Sequence, residues 1–297
     1  MRAAALTADG RLEIVDRPEP EPGPGEVVVA VDRCGVCGSD LHLRASGLLP
    51  AGAVLGHEFS GVVVTPAPDG AGPGVGTRVA VLPTRRCGVC PACRAGRGNL
   101  CPLQLTTSIG LGARDGAYAE RVVVPGPSCH ALPASATPTR GALAEPYAVA
   151  LHALGRSRVA VDTDLAVGVV GAGSVGLMCA AALARAGVGA VAVADPRPAR
   201  RAAAAALGVA VVEDAGHLVR ALGRPPDVVF EATGQPEVPG RAVEIAVTGG
   251  QVVLLGISGS GTPLPMPGLL WVVKEVDVVA SIAYTCLLYT SPSPRDS

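Results

Sequence analysis

The chain has 297 residues and a net charge of −1, with 49% hydrophobic, 16% charged and only 2% aromatic residues. That length fits two domains, with cores filled by Val, Leu and Ala rather than by rings. Near-neutral charge without a basic stripe or acidic tail argues against nucleic acid and anionic membrane as partners, and every apolar run stops well short of a membrane span.

The first residues, Met1-Arg2-Ala3-Ala4-Ala5-Leu6, run into polar ones before any long apolar segment forms, so they do not read as an export signal. Nine cysteines in such a chain point to metal ligation before disulfides, and the expected location is cytoplasmic. Residues 1 to about 130 have β character. Strands are expected over 26–32, 61–65, 77–82 and 118–125, with Gly/Pro-rich turns over 18–25 and 66–76. Many short strands split by such turns predict a compact, barrel-like β domain.

Between the first two strands lies Cys34-Gly-Val-Cys37-Gly38-Ser39-Asp40-Leu41-His42, followed after a loop by Gly56-His57-Glu58. A thiolate, an imidazole and a carboxylate from neighbouring loops suit Zn²⁺. Ser39 and His42 follow closely enough to pass a proton from the metal to solvent. Each piece alone is weak, because Cys-x-x-Cys can be redox-active and a lone His is usually a packed or surface residue.

Cys87-x-x-Cys90-x-x-Cys93-x7-Cys101 is a stronger signal. Four thiolates so close can close a tetrahedral zinc site with no open position, which makes the site structural. Closely spaced cysteines also serve iron–sulfur clusters. Zinc is the favoured reading, with Gly88, Pro91, Gly96 and Gly98 letting the loop wrap one centre.

Near residue 140 the pattern changes. Residues 138–157 read as helical. Strands over 166–170, 190–194, 227–231, 251–256 and 276–282 then alternate with helices over 174–186, 198–207, 238–247 and 269–274. That alternation predicts α/β architecture with a doubly wound parallel sheet. Gly171-x-Gly173-x-x-Gly176 falls between the first of these strands and the helix opening at Ser174 and Val175, the context that makes it a dinucleotide-binding turn. Its glycines allow the tight turn and close approach of a pyrophosphate, to which the helix N-terminus offers N–H groups. Asp195, about 20 residues on, can bind both ribose hydroxyls, which favours NAD over NADP. Arg197, Arg200 and Arg201 work against that preference.

Zinc and dinucleotide together indicate redox chemistry. The sequence resembles the zinc-dependent medium-chain alcohol and polyol dehydrogenases, including sorbitol, butanediol and threonine dehydrogenases, over essentially all of residues 1–285. The matching stretches are those around Cys37 and His57, the four-cysteine lobe, Asp115-Gly116-Ala-Tyr-Ala-Glu120, Glu145-Pro146, the Gly171 turn, and residues 227–234 and 249–256. The resemblance implies a GroES-like catalytic domain (1–150) and a Rossmann domain (151–285). It implies a catalytic zinc on Cys37 and His57, with Glu58 and Glu145 competing for the remaining protein position, and Cys34 as a bystander. Asp40 would orient His57, and Ser39 and His42 would relay the proton while hydride passes to NAD. A secondary alcohol or polyol is the implied substrate, with a threonine- or aldose-type reaction or a non-catalytic dinucleotide-binding role as alternatives. Relatives are usually dimers or tetramers through the edge strand over 276–282.

Residues 286–297 do not continue the pattern. They match translated sequencing adapter and read as a non-native tail, with the natural sequence interrupted near Thr285. Relatives continue past this point and return to the first domain, so the expectation is a poorly soluble or inactive chain.

Overall fold

The computed structural model describes residues 1–112, 114–259 and 261–285. The tail over 286–297 lies outside the described residues. Two compact units are present: residues 1–145 with Thr285, and Pro146–Tyr284.

The first unit opens with an antiparallel pair, β1 (Arg2–Leu6) and β2 (Leu12–Asp16), closed by a turn in which Gly10 takes a φ of 78°. Neither strand is legible in the pattern above, because β1 is mostly Ala, which is depleted in strands, and β2 is largely exposed. There follow β3 (Glu26–Cys34), α1 (Gly38–Ser46), β4 (Phe59–Thr65), β5 (Arg78–Val81), α2 (Pro91–Arg94), α3 (Gln104–Thr107), β6 (Arg121–Pro125), β7 (Cys129–Ala131) and α4 (Pro138–Ala142). Five of the strands form an antiparallel sheet in the order β6-β3-β4-β5-β7. Register shifts in the β3–β4 pair curl it. One face carries Val27, Val29, Val79, Val81, Val122 and Val124, each two residues from its pair, closing on Phe59 and Val63 as the core.

The strand expected over 118–125 begins only at Arg121. Tyr118 instead pairs its N–H with the Leu55 carbonyl and its carbonyl with the Ala4 N–H, joining the loop before His57 to β1. The single helix expected over 138–157 is two, α4 and α5 (Ala144–Arg156). Pro146 explains the break: it has no N–H to give the Ala142 carbonyl, and its ring crowds that group.

The second unit alternates regularly: β8 (Ala166–Val170), α6 (Ser174–Ala186), β9 (Ala190–Ala194), α7 (Pro198–Ala205), β10 (Ala210–Val212), α8 (Leu218–Leu222), β11 (Val228–Glu231), α9 (Val238–Ile245), β12 (Gln251–Leu254), α10 (Gly268–Lys274) and β13 (Asp277–Ala280). The six strands are parallel, in the order β10-β9-β8-β11-β12-β13. β8 is flanked by β9 on one side and β11 on the other, so the chain winds outward in both directions from it. The crevice at the carboxyl end of β8 is where such sheets bind ligands. Apolar clusters cover both faces, one around Val167, Val169, Leu183 and Phe230, the other around Leu218, Val229, Val243 and Val252.

Candidate metal and dinucleotide sites

The site in the first unit begins where β3 ends. Cys37 is the residue before the first turn of α1, and its N–H donates to Asp40 Oδ2 at 2.9 Å. Anionic groups are favoured at such a helix start. β4 begins directly after His57 and Glu58, and both are buried beside that turn. Atoms of Cys37, His57 and Glu58 lie within 4.8 Å of one another, one ligand atom from each.

The imidazole has a polar neighbour at each nitrogen. His57 Nδ1 stands 3.3 Å from Asp40 Oδ1, an ion-pair approach rather than an aligned hydrogen bond. Nε2 stands 3.3 Å from Ser39 Oγ. Asp40 is itself buried, and Gly56 N–H approaches its Oδ1 at 3.4 Å. Burial pushes the Asp40 carboxyl up, but the neighbouring His57, the Cys37 N–H and the Tyr118 hydroxyl outweigh this and leave it lowered.

The pocket is built for a cation. Burial alone would lower the His57 pKa, yet hydrogen bonding with Asp40 and Cys37, and the charges of Glu145 and Asp40, raise it to about 11. Burial raises the Glu58 carboxyl, and its Oε1 is buried without a hydrogen-bond partner. An orphaned carboxylate oxygen beside a thiol and an imidazole has the donor set and the unmet demand of a Zn²⁺ site. Gly35 makes room for it: a Cβ there would stand 2.2 Å from Glu58 Oε2.

Other expected residues fall as follows. Glu145 is buried in the first turn of α5 and its charge acts on His57, but it is outside the group within 4.8 Å. His42 is exposed on α1, three residues beyond half-buried Ser39. Cys34 is outside the group as well. Burial, then the Asp40 and Glu58 charges, push its thiol up to about 12.

The four cysteines converge, with Sγ atoms of Cys87, Cys90, Cys93 and Cys101 within 4.8 Å of one another. Cys87 and Cys93 sulfurs are 3.9 Å apart. A Zn–S bond of about 2.3 Å gives a tetrahedral edge of about 3.8 Å, so the spacing fits zinc. The Cys90 N–H points at Cys87 Sγ from 3.2 Å, and the Cys87 N–H at Cys101 Sγ from 3.4 Å. Backbone N–H groups of Val89 and Cys90 pull the Cys87 thiol down to about 6.

In the second unit the glycine turn meets the requirements of a phosphate cradle. Gly171 has φ 95°, and a Cβ on Gly176 would lie 1.8 Å from the Gly171 carbonyl oxygen. A Cβ on Gly173 would meet nothing nearer than Arg200 Nη1 at 3.9 Å, which leaves that face open to a ligand. Ser174 and Val175 open α6. Asp195 follows β9 and is buried. Its Oδ2 accepts from Ala172 N–H at 2.8 Å, and its Oδ1 from Arg197 N–H at 2.9 Å. Arg200 Nη1 lies 3.5 Å from the same carboxylate, whereas Arg201 is turned to the Asp195 and Pro196 carbonyls. A cleft of about 940 Å³ opens here, lined by Gly171, Asp195, Arg197, Arg200, Thr233 and Arg241.

Two elements of this arrangement were not singled out in the sequence: Gly35, and the Tyr118 hydroxyl, which donates to Asp40 Oδ2 at 2.9 Å. With four tyrosines and two phenylalanines in the chain, an aromatic residue beside a Gly-bounded turn was the available signal.

Comparison with known proteins finds similar chains. Residues 23–134 match a family described as alcohol dehydrogenase GroES-like domain, and residues 174–292 one described as zinc-binding dehydrogenase. Sorbitol dehydrogenase of Bombyx mori is 32% identical over 295 residues, covering 94% of this chain and 83% of that protein. L-threonine 3-dehydrogenase of Streptomyces avermitilis is 35% identical over 272 residues, covering 86% and 77%. A zinc-binding dehydrogenase from Sinorhizobium meliloti, solved bound to NADP, superposes with a TM-score of 0.87 at 32% identity, covering 97% of this chain and 86% of that one. Among the described residues, no helix is long and apolar enough to cross a membrane.

Proposed function

The chain belongs to the zinc-binding dehydrogenases of the alcohol dehydrogenase family, and from that premise we propose that it transfers hydride between a secondary alcohol or polyol and NAD, in the cytoplasm. The reading is carried by the convergence of Cys37, His57 and the unsatisfied Glu58 carboxylate. Residues 1–150 form the zinc-binding catalytic domain in this reading and residues 151–285 the dinucleotide domain.

When bound, the zinc polarises the substrate oxygen as a Lewis acid and the nicotinamide carries the hydride. Cys37, His57 and Glu58 hold the metal. Glu145 adds negative charge near them without entering the ligand group. Asp40, whose Oδ1 lies 3.3 Å from His57 Nδ1, would orient the imidazole and leave Nε2 for the metal. Ser39, whose Oγ lies 3.3 Å from that nitrogen, is placed to take the hydroxyl proton, and exposed His42 to release it to water. Cys87, Cys90, Cys93 and Cys101 hold the structural zinc. Gly171, Gly173, Ser174, Val175 and Gly176 receive the pyrophosphate, and Asp195 the ribose hydroxyls. Because a carboxylate that binds the ribose hydroxyls would repel a 2′-phosphate, NAD is favoured. Arg197 and Arg200 moderate that preference, consistent with a relative that binds NADP. Self-association through the edge strand β13 is part of the same reading.

The test is zinc per chain by atomic emission, with NADH formation on a panel of polyols, secondary alcohols and L-threonine. Two zincs are expected. Cys37→Ser should retain one and lose at least 99% of turnover, since it removes a direct metal ligand. Full activity of that variant would sink the assignment.

A further inference from the structure

We propose that Tyr118 is a positioning residue for the catalytic metal, acting through Asp40 on His57. This rests on the reading of Cys37, His57 and Glu58 as the metal set.

Asp40 divides its two oxygens between two tasks. Oδ1 faces His57 Nδ1 and the Gly56 N–H, at 3.3 and 3.4 Å. Oδ2 accepts from Cys37 N–H and from the Tyr118 hydroxyl, each at 2.9 Å. A carboxylate held on one oxygen cannot swing about its Cβ–Cγ bond, so the other oxygen stays aimed at the imidazole. The Cys37 amide is part of a metal ligand's own backbone and moves with it. Tyr118 is the anchor of Oδ2 from outside that segment.

The anchor is itself fixed. The Tyr118 N–H donates to the Leu55 carbonyl at 2.9 Å, and its carbonyl accepts from Ala4 N–H at 2.7 Å. Its ring packs with Ala3, Ala5 and Val54. The ring also lies against Gly56, where a Cβ would come within 2.6 Å of it and where φ is 97°. The hydroxyl is 3.2 Å from the Gly35 carbonyl, the residue that gives Glu58 its space. One phenol thus touches the loop before Cys37, the carboxylate behind His57 and the backbone leading into His57. Hydrogen-bond partners behind metal ligands typically contribute about 10- to 100-fold in metal affinity.

Tyr118→Phe keeps the ring on Gly56 and deletes only the hydroxyl. The experiment follows zinc retained per full-length chain against graded chelator, for wild type, Tyr118→Phe, Asp40→Ala, the double variant and Cys37→Ser. Tyr118→Phe should release the second zinc at about tenfold lower chelator, while the four-cysteine zinc, the one left in Cys37→Ser, stays unchanged. In the Asp40→Ala background the same substitution should shift retention less than about twofold, because the effect travels through Asp40. A merely structural role would weaken both zincs, or would weaken the second equally in both backgrounds. Either result overturns the proposal, as does unchanged retention in Tyr118→Phe. Equal zinc content in wild type and Cys37→Ser would instead bring down the underlying metal assignment.

Discussion

Gly35 offers the most direct test of which carboxylate binds the metal. Its N–H donates to the Glu58 carbonyl at 2.7 Å, and a Cβ would stand 2.2 Å from Glu58 Oε2 and 3.2 Å from Glu58 Cβ. Gly35 does not have positive φ, so alanine is acceptable to the backbone and its effect falls on the Glu58 side chain. Gly35→Ala should expel that carboxylate, remove about one zinc per chain and cut turnover at least tenfold, of the order reported for weakened metal shells. Emission analysis with a rate assay checks this. Full zinc and full activity would transfer the ligand role from Glu58 to Glu145. In the other unit, Asp195 accepts from two amides and faces Arg200. Asp195→Asn removes the charge that opposes a 2′-phosphate and leaves Arg200 without its partner. The ratio of kcat/KM for NADP to that for NAD should rise at least tenfold, which is about 1.4 kcal/mol. An unchanged ratio would place cofactor choice elsewhere.

The four-cysteine lobe is an element whose order should depend on its metal. Among the described residues, none between Val81 and Ile109 belongs to an apolar cluster. Val89, Leu100 and Leu103 are exposed, and α2 is a four-residue helix. With little apolar burial, the ordering entropy would be offset mainly by a bound metal. Stripping zinc should open this lobe to proteolysis between Arg85 and Arg97 while the core around Val27, Val63 and Val124 stays protected, as limited trypsin digestion with mass spectrometry would show. Equal protection with and without zinc would mean that the lobe is stable by itself. This lobe and the glycine turn were legible in the sequence because side-chain type and spacing carry their chemistry directly. β8, β9 and α6 were legible to the residue, being apolar segments bounded by Gly or polar residues. β1 and β2 were not, since their pairing depends on a turn and on each other rather than on pattern. The Tyr118–Asp40 bond joins residues 78 positions apart, and no local periodicity reports such a contact.

At the scale of the molecule, chemistry is divided between units that each have their own core. The clusters around Val27 and Ala3 draw only on residues of the first unit, and those around Val167 and Leu218 only on residues of the second. The proposed metal ligands belong to the first, whereas the glycine turn, Asp195 and the cleft that they line belong to the second. Dinucleotide affinity on this reading comes from backbone N–H groups at the start of α6 and from one carboxylate, all within the second unit. Loss of the catalytic zinc should therefore abolish turnover and spare cofactor binding. In Cys37→Ser, the dissociation constant for NADH, followed by its fluorescence, should stay within about threefold of wild type, a change of about 0.7 kcal/mol or less. Gly173→Val in the same assay should weaken NADH at least tenfold, because it fills the open face of the turn. If Cys37→Ser lost NADH as completely as Gly173→Val, dinucleotide affinity would depend on the metal site. The separation of the two functions into independent cores would then be wrong.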